Sequence, residues 1–170
     1  MAGMLFNALF TYALTGLLGA QVEAFAMSVR QVPCVTLAYG SYTIASEETG
    51  WLLRPYHHSH APPAIVSYQD PPAGQLGVWT LTAAPQNSYF LRNVGENLPV
   101  ATLDYGGAPQ PYTAPESVGA FAFAIQCAGN GTYVIKRPTE DAVWTAAPGA
   151  WVKLFGANGD INQRFRFTAV

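Results

Sequence analysis

The sequence predicts an all-β domain of twelve strands in three pseudo-repeats, and three observations carry that prediction. Glycine (16) and proline (13) are frequent, aromatics reach 13%, and no helical period runs for ten residues between Ser28 and Val170. That mixture suits short strands joined by tight turns. A tyrosine-centred pattern occurs three times, as Gly40-Ser-Tyr-Thr-Ile44, Asn87-Ser-Tyr-Phe-Leu91 and Gly131-Thr-Tyr-Val-Ile135; Tyr42, Tyr89 and Tyr133 lie 47 and 44 residues apart. A closing pattern follows each, as Val78-Trp79-Thr-Leu81, Ala122-Phe123-Ala-Ile125 and Arg166-Phe167-Thr-Ala169, with Trp79, Phe123 and Phe167 spaced by 44 and 44.

Two anchors sharing one period mark a repeat architecture. Four short strands in about 45 residues fit a propeller blade or a trefoil unit. Propellers need about four blades or more, and only three copies are present, so the pattern predicts a β-trefoil. Tyr42, Tyr89, Tyr133, Trp79, Phe123 and Phe167 would meet around a pseudo-threefold axis as core, not as a cofactor site.

Between the anchors, Trp51-Leu-Leu53 and Ala64-Ile-Val66 supply the inner strands of the first unit. Val100-Ala-Thr-Leu103 and a faint strand near Tyr112 supply those of the second. Val143-Trp144 and Trp151-Val-Lys-Leu154 supply those of the third, with Lys153 turned off its neighbours' apolar face. Arg164-Phe-Arg-Phe167 alternates polar and apolar as a half-buried strand does. Turn signals fall at Glu48-Thr-Gly50, Asp104-Tyr-Gly-Gly107, Gly129-Asn-Gly131 and Gly156-Ala-Asn-Gly159.

Residues 1–27 read differently, as a signal-like or non-domain extension ahead of a domain at 28–170. Met4 to Leu18 is nearly all apolar and the first formal charge is Glu23. The run is short for a membrane span, which takes roughly 20 residues, and no basic residue precedes it. Three readings fit: a secretory signal cleaved after Ala24, a start at Met27, or a structural helix. The first would make the protein secreted and the second cytoplasmic; no membrane association is expected of the mature form.

Half the residues are hydrophobic, 11% are charged and the net charge is −2 without long runs, which excludes disorder and disfavours nucleic acid as a partner. Cys34 and Cys127 are either one disulfide or two buried thiols. No Cys or Cys/His spacing suits zinc; His57, His58 and His60 lack a nearby carboxylate in sequence, so no metal and no cofactor is expected. Neither a Gly-x-Ser-x-Gly elbow nor a paired-carboxylate motif is present, and no enzyme is predicted. Asn130-Gly-Thr132 is a glycosylation sequon and also a hairpin turn signal.

Leu37-Ala-Tyr-Gly-Ser-Tyr-Thr-Ile44, Thr49-Gly-Trp-Leu-Leu53 and Asn162-Gln-Arg-Phe-Arg-Phe167 resemble the fungal β-trefoil serine-protease inhibitors, the cospin group of mushrooms, over most of residues 36–170. The resemblance implies a monomeric protease inhibitor, trypsin-like targets first, acting by a rigid loop that fills the enzyme's specificity pocket. It places an inhibitory loop at Arg54-Pro-Tyr-His-His-Ser-His-Ala-Pro-Pro63, with Arg54, Pro55, Tyr56, His57 and His58 as contacts. Pro55 weakens that assignment, because a proline after the specificity residue removes an amide donor and fixes φ; Arg137-Pro138 shares the defect.

Two cousin families share the scaffold. By resemblance to the mycocypin cysteine-protease inhibitors, Asn97 or Asn93 in the segment Arg92–Pro99 would engage an asparagine-specific protease, and Arg92 is a further basic candidate. Turn-forming asparagine beside glycine is the plainer reading. Gln163-Arg-Phe165 is similar to the Gln-x-Trp signature of ricin-type lectins, which implies carbohydrate as an alternative partner. Asp70, Asp104, Asp141 and Asp160 lack a common register, so at most one degenerate sugar site is expected.

Overall fold

The computed structural model describes residues 33–59, 61–72, 74–105 and 107–170. The signal-like segment, the alternative start at Met27 and His60 lie outside the described residues. Twelve strands occur among them: β1 (Gly40–Ser46), β2 (Leu53–His58), β3 (Ala61–Ser67), β4 (Val78–Ala84), β5 (Ser88–Asn93), β6 (Leu98–Tyr105), β7 (Ala108–Thr113), β8 (Ala122–Gly129), β9 (Thr132–Lys136), β10 (Val143–Thr145), β11 (Lys153–Phe155) and β12 (Phe165–Ala169). The faint strand near Tyr112 is β7, whose prolines at 109 and 111 mask its pattern.

Six strands close on themselves. β1 pairs with β4, β4 with β5, β5 with β8, β8 with β9, β9 with β12, and β12 with β1, all antiparallel. Closure removes the unpaired edges that an open sheet would present. The remaining strands form one hairpin per repeat, β2–β3, β6–β7 and β10–β11.

Register explains why the repeat is visible in sequence. Tyr42 faces Trp79, Tyr89 faces Phe123 and Tyr133 faces Phe165 across the barrel-strand pair of each repeat. Trp79, Phe123 and Phe165 are fully buried, and the three tyrosines are at most 9% exposed. The third closing anchor is therefore Phe165, not Phe167. Phe167 faces Ile44, as Leu81 faces Leu91 and Ile125 faces Ile135. It is half-buried against Tyr42 and Tyr133. The two-residue offset escapes a pattern search because strand side chains repeat every second residue, so Phe165 and Phe167 share a face.

The hydroxyls of the three tyrosines converge on one strand of backbone. Tyr133, Tyr89 and Tyr42 donate to the carbonyls of Val35, Leu37 and Ala38, each at 2.9 Å. The arm from residue 33 to 38 thus crosses the barrel end at which β1, β5 and β9 begin, and Cys34 bonds to Cys127 of β8. Leu37 and Ala38, part of the segment that carries the family resemblance, belong to this arm and precede β1. Burial holds the Tyr89 phenol above its ordinary value, with Tyr39, Tyr42 and Tyr133 adding to the effect.

Candidate functional site

Most of the predicted inhibitory loop is strand. Leu53 to Ser67 is a hairpin whose arms pair from Leu53↔Ser67 to His58↔Ala61. Pro55 is tolerated because β2 pairs only with β3 and is an edge strand; its side chain is buried. Arg54 pairs with Val66, and its guanidinium lies 4.9 Å from the centre of the Tyr68 ring. A residue lying on an aromatic face is not presented as a pocket-filling knob. Tyr56, His57 and His58 are exposed on β2, and His57 Nε2 meets Glu96 Oε1. Among the described residues no group of three His, Cys, Asp or Glu could hold a metal ion.

The second candidate segment divides in the same way. Arg92 and Asn93 end β5, and only residues 94–97 form the turn. Asn93 is fully buried and braces that turn: its Nδ2 donates to the carbonyls of Leu76 at 2.7 Å and Val78 at 3.3 Å, and its Oδ1 accepts from Glu96 N at 3.0 Å. It is a scaffold residue, inaccessible to a protease. Gly95 sits so close to the Gln75–Leu76 backbone that a Cβ would fall 2.8 Å from Leu76 N. Arg92 donates to the Asn97 carbonyl at 2.7 Å and pairs with Glu116. Asn97 is exposed with φ 55°, the left-handed conformation that turn asparagines tolerate.

Gln163, the lectin-like position, is 2% exposed and holds the loop after β11. Its Nε2 donates to Thr145 Oγ1 and the Gly156 carbonyl, and its Oε1 accepts from Asn158 N. Asp160 accepts from Asn158 Nδ2, and Asp141 Oδ1 faces Ala157 N. Asp70 alone of the four aspartates lines one of the recesses described next.

A groove lies where the first repeat meets the third. Backbone contacts build it: Gly149 N donates to Ser67 O, Val152 N donates to Ile65 O, and Val66 bridges to Trp151. Ala147-Pro-Gly-Ala150 closes as a turn with Ala150 N bonded to Ala147 O. Pro148 and Gly149 (φ 67°) occupy its centre, the residue choice of a type II turn. Three recesses follow one another here. The first, about 260 Å³, is lined by Trp51, Tyr68, Gln69, Asp70, Pro148 and Gly149. The second, about 210 Å³, adds Tyr56, His58, Val66 and Trp151 to Tyr68 and Gly149. The third, about 280 Å³, lies between Gly149, Ala150, Trp151 and Lys153.

The rings of this groove hold one another. Tyr56 stacks on Tyr68 at 6.5 Å, and His58 meets Tyr56 and Trp151 edge-on at 5.9 and 5.8 Å. Tyr56 and Tyr68 remain 42% and 38% exposed. Sequence reasoning named Tyr56 and His58 as loop contacts and Trp51 and Trp151 as strand residues, and it missed Tyr68 and Gly149. Pro148-Gly149 was the readable signal, a turn between two predicted strands.

No protein-family profile and no curated protein sequence matches the chain. Solved structures do. The Rhizoctonia solani agglutinin superposes with a TM-score of 0.67 at 22% identity, covering 82% of this chain and all of that one. A Macrolepiota procera ricin B-like lectin in complex with lactose gives 0.63 at 15% identity, over 80% and 100% of the two chains. A proteinase inhibitor from Coprinopsis cinerea gives 0.57 at 18% identity, over 79% and 99%. With the closed barrel and the three hairpins, this likeness defines the class: the chain folds as a β-trefoil. Lectins and a protease inhibitor share that scaffold, so the fold by itself assigns no function.

Proposed function

We propose that this β-trefoil binds carbohydrate through the groove between its first and third repeats. The observation that carries the reading is the set of Trp51, Tyr68 and Trp151 lining one groove beside Asp70 and Gln69. A pyranose ring is amphipathic in the same sense. Its C–H faces suit the electron-rich face of an aromatic ring, and its hydroxyls need acceptors and donors at the edge. A carboxylate with a neighbouring amide supplies those without requiring a charged ligand. Glycan-array binding that disappears in Trp151→Ala and Tyr68→Ala, with unfolding midpoints unchanged, is the expected result. An array with no hits overturns the reading.

Protease inhibition is the second reading, and the braced turn at 94–97 favours it. That turn offers exposed Asn97 on a backbone fixed by Asn93 and Arg92, and stiffness lowers the ordering cost of binding a protease. The trypsin-type assignment to Arg54 has less behind it, since the guanidinium covers Tyr68. Inhibition constants against trypsin, chymotrypsin, subtilisin and a legumain-type protease test it, followed by Arg54→Ala and Asn97→Ala. Inhibition surviving both changes removes both loop assignments.

A further inference from the structure

We infer that the groove takes an internal stretch of a neutral, unbranched glycan, at least three sugar units long, in place of a single terminal sugar. The inference rests on the carbohydrate reading above and concerns the arrangement of the recesses. They form a row. Tyr68 and Gly149 wall both the first and the second recess, and Gly149 and Trp151 wall both the second and the third. Tyr68, whose ring also carries the Arg54 guanidinium, and Trp151 are thus each shared by two adjoining recesses, so a bound chain would touch an aromatic side chain in each. The recesses are only partly enclosed, the third least of all, so one sugar in any of them leaves surface in water and useful affinity requires several at once.

Gly149 is the junction. An ideal Cβ there meets nothing within 4 Å, so the absent side chain leaves open space where the three recesses join. Charge also points to a neutral ligand. Asp70 stands in the first recess, the Arg54 guanidinium lies over the Tyr68 ring that walls it, and Lys153 stands in the third, so both signs occur along the groove and neither a polyanion nor a polycation is matched over its length.

The test is a length series titrated against the full chain by calorimetry: β-1,3- and β-1,4-linked oligomers of glucose, galactose, mannose and N-acetylglucosamine, from one to six units. Affinity for the bound series should rise about two- to tenfold from one unit to three, since a second aromatic contact is worth about that factor, and level off beyond about four. Gly149→Asn places a side chain at the junction in a residue that tolerates positive φ, so the protein should keep its unfolding midpoint. That variant should bind the trimer no better than the monomer. A monosaccharide bound as tightly as its trimer, or a folded Gly149→Asn variant that keeps the length dependence, overturns the inference while leaving carbohydrate binding in place. Failure of every oligomer at every length overturns the inference, and together with a glycan array without hits it overturns the carbohydrate reading as well.

Discussion

Replacing both Cys34 and Cys127 with serine should lower stability by about 2 to 5 kcal/mol. The bond spans 93 residues, two-thirds of the described domain. Cross-linking a loop of that length removes chain entropy from the unfolded state worth about 4.6 kcal/mol at 25 °C, which is an upper figure because native strain and residual unfolded structure subtract from it. A native-state term acts in the same direction, since the bond tethers the arm whose carbonyls accept from the three tyrosines. Urea unfolding of the oxidised protein, the reduced protein and the double-serine variant gives the difference directly, provided each transition is two-state. The reduced protein and the variant should agree with each other. A variant within about 0.5 kcal/mol of the oxidised protein would refute the reasoning and show that the unfolded chain gains little freedom when the bond is lost.

Three further outcomes follow from named contacts. Asn93→Ala should cost about 2 to 4 kcal/mol by equilibrium unfolding, because it strands the Leu76 carbonyl and the Glu96 amide in a buried site. Trp79→Phe should cost about 1 to 2 kcal/mol more than Trp144→Phe: Trp79 Nε1 donates to Leu53 O at 3.1 Å, whereas Trp144 Nε1 is buried with no partner among the described residues. Stability should fall as pH rises past about 10. The folded state keeps the Tyr89 proton more tightly than the unfolded chain, whose phenol titrates at 10.0, so the contribution is complete below that value and is lost on ionisation. Denaturation midpoints between pH 8 and 11 check this, and Tyr89→Phe should flatten the alkaline slope.

The scaffold was readable because its repetition is a property of sequence itself. Tyr42, Tyr89 and Tyr133 each sit two or three residues into a barrel strand opposite a large aromatic, and three copies of one constraint leave three copies of one pattern. Where the copies differ in length, the reading slipped by one period, from Phe165 to Phe167. The inner hairpins were harder. Arg54 to His58 carries a proline, charge and three polar or aromatic residues, which reads as loop, yet β2 is an edge strand and has no second neighbour to demand amide donors. The groove was not legible as a unit. Trp51, Tyr68 and Trp151 are separated by 17 and 83 residues, and they come together only because the 147–150 turn hydrogen-bonds to the end of β3. Asn93 and Gln163 show the opposite failure. Each has the residue type of a contact side chain but is spent inside, on backbone groups that turns leave unpaired.

The three phenols at the arm end break the equivalence of the repeats. Their donors come from three copies of one unit, but their acceptors come from four consecutive residues, 35 to 38, that occur ahead of the first copy alone. Duplication can multiply the tyrosines; it cannot multiply the strand they hold. A circular permutant opened between the first and second units would have to carry residues 34–38 as an internal bridge from the old carboxyl end, at the one place where the barrel admits a single crossing. The arm finds all three hydroxyls in position only when every unit is seated, so its docking depends on all three units at once.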